Sequence, residues 1–172
     1  NNKDYTKATP INVNEPLFND DLYPYLQRIL LTSDKKRLEE IFLVSEGIEN
    51  LLIKNAYEND TYEDSIKASI SRRYTRARIQ RICMNIINNI TKKEYKALEP
   101  LNYVRVLGFN SKGREYLKQF RDREDFKVVT QFKNIPETYK NIEWKVANVY
   151  ASYTQNRKAY LKQELRGPII ID

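Results

Sequence analysis

The chain has 172 residues, 41% of them hydrophobic, with four glycines, one cysteine, no histidine and a net charge of +7. That length and composition describe an ordered, mostly helical chain long enough to bury a real core. Without histidine there is no His-based acid/base catalysis, no His metal ligand and no Ser–His or Cys–His nucleophile pair, and the lone Cys83 excludes an internal disulfide and a structural zinc site while fitting a reducing cytoplasm.

Residues 1–20 are polar, contain Pro10 and Pro16, and show no period, which predicts a linker or extended lead-in. The start Asn1-Asn2-Lys3-Asp4 is neither a Met nor a signal peptide and points to a piece of a longer protein. Asp20 or Asp21 can cap a first helix through Leu31, with Leu22, Tyr25, Leu26, Ile29 and Leu30 apolar. Ser33 can cap a second, with Leu38, Ile41 and Phe42 on one face, and Gly47 precedes a third that carries Ile48, Leu51, Leu52 and Ala56. Thr61 and Asp64 resemble a capping box before a short helix that ends near Ser71. The clearest helix follows, with Ile79, Ile82, Cys83, Ile86, Ile87 and Ile90 in one apolar stripe. Thr91 and Glu94 are a second S/T-x-x-E signature, and Pro100 closes that segment.

Tyr103–Phe109 and Phe126–Phe132 are strand candidates that, if paired, make a minor two-stranded ribbon. Ser111 can open a helix through Phe120, Asn141 starts a long helix, and the apolar tail Gly167-Pro168-Ile169-Ile170-Ile171 is expected to dock on the body. The expected fold is therefore mainly α: a multi-helix domain over 21–172 with a short two-stranded β element around 103–109 and 126–132. No run approaches the ~20 apolar residues of a membrane span.

Charge is segregated. Residues 66–123 hold 15 basic and 4 acidic residues, a balance of +11, against −4 for the rest, and no acid lies between Ser65 and Lys93. This suggests a polyanionic partner. At its centre Arg72, Arg73, Arg76, Arg78 and Arg81 crowd the start of the isoleucine helix. A helix N-terminus favours anions, so arginine there, together with free backbone N–H groups, reads as a phosphate site. With Thr75 as N-cap, Arg78 and Arg81 point away from the apolar stripe, whereas Arg72 and Arg76 fall near it. Tyr74 is placed either to stack on an unpaired base or to serve as a core residue. The alternative for the arginines is pairing with Glu58, Glu63 or Asp64, or with another domain. Arg105, Lys112 and Arg114 form a second basic group beside Lys118; Asn110-Ser111-Lys112-Gly113-Arg114 lacks P-loop spacing.

Five blocks occur in order: Leu22-Tyr23-Pro24-Tyr25-Leu26, Ser45-Glu46-Gly47-Ile48-Glu49-Asn50, Arg73-Tyr74-Thr75-Arg76-Ala77-Arg78-Ile79-Gln80-Arg81, Tyr103-Val104-Arg105-Val106-Leu107-Gly108-Phe109-Asn110 and Pro168-Ile169-Ile170. Together they resemble the C-terminal part of the bacterial tRNA(Met) cytidine acetate ligase family, from about Leu17 onward. The resemblance implies a cytoplasmic enzyme that uses ATP and acetate to acetylate N4 of the wobble cytidine of elongator tRNA(Met). It also implies an N-terminal nucleotidyltransferase-like domain with an HxGH-type motif. A chain without histidine cannot hold that motif, so no catalytic residue is carried over, and the stretch is expected to be inactive alone, to need no cofactor of its own, and to bind tRNA through its arginines. Two rival expectations are a homodimerisation or interdomain scaffold, and a set of arginines that completes the ATP site of the other domain.

Overall fold

The computed structural model describes residues 19–120, 123, 125–154 and 156–171. The lead-in expected over residues 1–20 falls, up to residue 18, outside them. Among the described residues the fold is mainly helical, with nine α-helices and two small two-stranded sheets. Two compact units divide the chain, one over Leu17–Ala97 and one whose described part covers residues 98–171. No helix among the described residues is long and apolar enough to cross a membrane.

The first unit contains α1 (Asn19–Thr32), α2 (Lys35–Glu39), α3 (Ile48–Glu58), α4 (Tyr62–Ser69), α5 (Arg76–Ile87) and α6 (Lys92–Lys96). The isoleucine stripe is its centre: Ile79, Ile82, Cys83 and Ile86 of α5 are buried against α1 and α4. Leu26 and Leu30 of α1 and Ile48 and Leu52 of α3 complete the core. The caps expected at Thr61 and Thr91 form, whereas Asp34 and not Ser33 precedes α2, without a side-chain cap, and Asp20 and Asp21 lie inside the first turn of α1. Thr61 Oγ1 accepts the Asp64 N–H at 3.2 Å, and Thr91 and Glu94 make a reciprocal capping box at α6. The helix expected from Ser33 is cut short. After α2 the chain leaves helical geometry, Leu43 takes φ 71°, and Ile41 forms an antiparallel bridge with Thr91. Phe42 N–H then donates to the Ile90 carbonyl at 2.8 Å, so Ile41 and Phe42 pair with a strand-like segment instead of extending a helical face. Gly47 sits at φ 78° directly after Glu46 at φ 57°, a left-handed pair that turns the chain into α3 and suits glycine at its second position.

The second unit holds β1 (Tyr103–Arg105), β2 (Gly108–Phe109), α7 (Ser111–Lys118), β3 (Lys127–Val129), α8 (Glu137–Ser152), α9 (Arg157–Glu164) and β4 (Ile169–Ile170). The two strand candidates do pair, in parallel, with Tyr103 opposite Lys127 and Arg105 opposite Val129. The first is shorter than the run 103–109 because the chain changes partner: Val106 N–H donates to the Val129 carbonyl at 2.8 Å, and the Leu107 carbonyl accepts the Ile169 N–H at 2.9 Å. The apolar tail thus docks as β4, parallel to β2. The second strand stops at Val129, followed by a 3-10 turn at Phe132–Asn134. Val129, Phe132 and Ile135 make this unit's core, flanked by Tyr103, Tyr139 and Trp144. Helix α7 is capped by Asn110, one residue before the expected Ser111, through an Asn110 Oδ1 that accepts the Gly113 N–H at 2.9 Å.

Candidate nucleic-acid interface

Helix α4 ends at Ser69 and the chain turns sharply before α5. Ser71 N–H donates to the Tyr74 carbonyl at 3.0 Å, and Tyr74 N–H donates to Ser71 Oγ at 3.2 Å. Thr75 then caps α5 as its side chain accepts the Arg78 N–H. This turn throws Arg72 and Arg73 outward and Tyr74 inward. Tyr74 is 6% exposed, its hydroxyl donates to the Ser45 carbonyl at 3.0 Å, and burial raises its pKa. Its ring is committed to the core and is not presented as a platform for a base, so the core alternative describes it.

The five arginines divide by what holds them. Arg76 reaches back to α4 and grips Glu63 with both guanidinium nitrogens, Nη1 lying 2.9 Å from Oε2. That is the pairing alternative read from the sequence, realised for one arginine. Arg73 lies 3.6 Å from Glu46, a loose, exposed pair that retains most of its hydration. The Arg78 guanidinium lies 4.7 Å from the Tyr74 ring centroid, donates to the Arg73 carbonyl at 3.5 Å and meets no carboxylate among the described residues. The ring face holds the cation in place without neutralising it. Arg81 is exposed and donates from Nε to the Ala77 carbonyl at 3.2 Å, leaving both terminal nitrogens outward. Arg72 is exposed and has no ion pair or side-chain hydrogen bond among the described residues. Arg72, Arg78 and Arg81 are therefore uncompensated among the described residues, and at Arg72 and Arg78, beside the N-terminus of α5, backbone dipoles add to the positive potential. Arg81 also borders an open groove of about 430 Å³ lined by Asn19, Tyr62, Gln80 and Met84, which sequence periodicity gave no means to find.

The second basic group lies in the other unit and is not of one kind. Arg105 is turned inward with a side chain 16% exposed. Its Nη1 donates to Glu143 at 2.8 Å and also to Glu164, and its Nη2 donates to the Glu164 carbonyl at 2.8 Å. These partners hold the guanidinium pKa above its ordinary value despite burial. A cation already bound by two carboxylates has little left to offer a phosphate, so Arg105 is placed as a structural residue and not as the contact expected from sequence. Lys112 is exposed with no partner among the described residues, and Arg114 is exposed with its guanidinium 5.8 Å from the Phe109 ring centroid.

A family profile described as HIGH Nucleotidyl Transferase matches residues 2–164. The chain belongs to the HIGH nucleotidyl transferase family. Among curated relatives, the tRNA(Met) cytidine acetate ligase of Oceanobacillus iheyensis is 32% identical over 154 residues, covering 88% of this chain and 38% of that protein. The enzyme of the same description from Anoxybacillus flavithermus is 37% identical over 134 residues, covering 76% and 33%. That from Thermoanaerobacter sp. is 35% identical over 115 residues, covering 67% and 29%. The chain thus spans about a third of the length of these relatives. A crystal structure of Thermotoga maritima TmcAL bound with alpha-thio ATP superimposes on 91% of this chain and 42% of its own, with TM-score 0.74 at 21% identity. This HIGH-family chain shares that fold, contains no histidine, and carries its uncompensated cations at the start of α5.

Proposed function

We propose that this chain is the tRNA-holding C-terminal part of a cytoplasmic enzyme that uses ATP and acetate to acetylate N4 of the wobble cytidine of elongator tRNA(Met). In this reading it is inactive alone, because the adenylate-forming site sits in an N-terminal nucleotidyltransferase-like domain. Family membership and relatives described as tRNA(Met) cytidine acetate ligases support it, as does the lack of any histidine for an HxGH-type motif. The observation that carries the RNA-binding role is the trio Arg72, Arg78 and Arg81, cationic side chains at one helix start with no carboxylate partner among the described residues. Lys112 and Arg114 are separate contacts offered by the second unit, while Arg73 is loosely held and free to exchange Glu46 for a phosphate.

The test is filter binding of a tRNA(Met) transcript across a salt series, with wild type and the Arg78→Glu/Arg81→Glu double variant. Wild-type affinity falls steeply with salt, and losing two phosphate contacts lowers the slope of log K against log salt by about 1.4–1.8. Neither side chain has an ion pair among the described residues, and loss of the Arg78–Tyr74 ring contact costs only about 0.5–1 kcal/mol, so the double variant stays folded at the assay temperature. Equal binding by the double variant removes these arginines from the interface.

A further inference from the structure

A cavity of about 290 Å³ opens in the second unit where its two sheets meet. It lies past the carboxyl ends of the parallel strands β1 and β3, lined by Val106 and Leu107 after the one and Thr130 after the other. Ligands in parallel α/β arrangements collect at such ends because strands stop there and side chains from separate loops converge. Gly167, Pro168 and Ile169, leading into β4, close another side. The volume is at the small end of the roughly 300–1,000 Å³ of ligand pockets, room for a single heteroaromatic ring and not for a chain of them.

The chemistry of the walls narrows the occupant. Leu107, Pro168 and Ile169 supply apolar surface, and the Tyr160 ring, which lies 4.9 Å from that of Tyr150, supplies an aromatic face. Arg105 is already bound by Glu143 and Glu164, which leaves Arg166 as the one lining cation without an ion pair among the described residues. Three lining groups remain unspent: the Gln163 amide, the Thr130 hydroxyl and the Arg166 guanidinium have no side-chain partner among the described residues. Glutamine, arginine and a carboxylate such as Glu164 are the side chains whose paired donors and acceptors match the edges of nucleobases. Proteins read single-stranded RNA by taking up splayed bases in such mixed apolar and polar sites.

We propose that this cavity receives one unstacked nucleobase, with Gln163, Glu164 and Arg166 at its edge and Tyr160 and the apolar wall against its faces. The proposal deepens the RNA-binding reading and assigns the second unit a base contact, apart from the phosphate contacts at α5.

The experiment is amide NMR of the 172-residue chain, titrated with cytidine, uridine, adenosine and guanosine, with ribose 5-phosphate as the sugar-phosphate control, and in a second arm with a single-stranded RNA octamer. Saturable shifts at residues 105–107, 130 and 163–169 with at least one nucleoside, and none there with ribose 5-phosphate, are expected. Gln163→Ala and Arg166→Ala, both on exposed side chains that hold no other group, weaken that binding about tenfold with unchanged melting. Shifts by the octamer at the same residues assign the base to RNA; shifts by nucleosides alone assign it to a free nucleoside. Equal response to ribose 5-phosphate, no saturable shift at these residues, or unchanged affinity in both variants overturns the proposal. If the chain binds tRNA while the cavity stays silent, the base site falls and the RNA-binding reading stands. If the cavity binds nucleosides while the chain retains no tRNA, the reverse holds.

Discussion

Replacing Arg105 by Met separates a structural arginine from an RNA contact. Arg105 makes three hydrogen bonds, to the Glu143 carboxylate, the Glu164 carboxylate and the Glu164 carbonyl. Its removal leaves two carboxylates, on side chains 27% and 24% exposed, facing one another with no cation between them. Breaking a fully buried pair from one side costs about 3–5 kcal/mol, and an exposed pair no more than ~1 kcal/mol. The quarter exposure of both acids lets water return part of the loss, which places this substitution at about 2–4 kcal/mol. At 4–8 °C per kcal/mol for a small unit, the transition of the second unit falls by roughly 8–30 °C. The single tryptophan, Trp144, packs against the Val129, Phe132 and Ile135 core, so its fluorescence reports this unit. The triple variant Arg105→Met, Glu143→Gln, Glu164→Gln recovers most of the loss, because it removes the stranded charges along with their counter-ion. An Arg105→Met protein whose Trp144 transition is unmoved, and whose tRNA salt slope is reduced, would refute the structural assignment.

Tyr74→Phe removes the hydrogen bond to Ser45 and lowers stability by about 1 kcal/mol in urea titration, with tRNA affinity unchanged; a loss of affinity at unchanged stability returns the side chain to the RNA interface. Burial pushes the Cys83 thiol from 9.0 up to about 12, and the Tyr62 hydroxyl from 10.0 up to about 12. The folded state therefore retains protons that the unfolded chain releases. The stabilisation is whole below pH 9 and is lost as pH rises toward 12. For Cys83 the slope reaches about 1.4 kcal/mol per pH unit, and alkaline denaturation of Cys83→Ala loses that share of it. An identical slope in the variant contradicts the buried thiol.

What the sequence made legible was local. Thr75 before Arg76, the Thr91–Glu94 box and the isoleucine stripe are signals between residues three or four apart; the two caps form as read, and the stripe does so through Ile87, with Ile90 buried beyond the helix end. The two strand candidates were visible from valines and aromatics, but their break at Val106-Leu107 depends on β4, some 60 positions along, which draws Gly108 and Phe109 into a different pair. The same distance hid the fate of Arg105. Its acids lie 38 and 59 residues away on two helices, and a basic residue beside Lys112 and Arg114 reads as surface charge until the fold brings those acids in. Arg76 was intermediate, because Glu63 is 13 residues back, close enough to be named as one of three partners and too far for the spacing to choose among them. Tyr74 shows the limit from the other side: an aromatic inside an arginine run has equal claims on core and ligand, and the turn closed by Ser71 decides which way it faces.

Arginine at a helix start opposes the macrodipole, and the fold answers that conflict unevenly. Arg76, the first residue of α5, carries the greatest repulsion and is matched by the bidentate grip of Glu63, which lies in the first turn of α4. Glu63 thus relieves one helix start while serving its own. Arg78 is matched by an aromatic face and a long hydrogen bond to the Arg73 carbonyl at 3.5 Å, which attract a cation without supplying the negative charge that would end its demand for one. Arg81 is a further turn along, where the dipole has faded, so it needs no compensation and receives none. If the cluster served stability alone, Glu63 would have counterparts beside Arg78 and Arg72, since each uncompensated cation here costs a few tenths of a kcal/mol that a single acid would restore. The acid-free run from Ser65 to Lys93 withholds those counterparts from sequence-local positions, and the fold brings no carboxylate to Arg72, Arg78 or Arg81 among the described residues. Firm compensation at Arg76, a loose exposed pair at Arg73 and no carboxylate among the described residues at Arg72, Arg78 and Arg81 support the proposal that this surface takes an anion from outside.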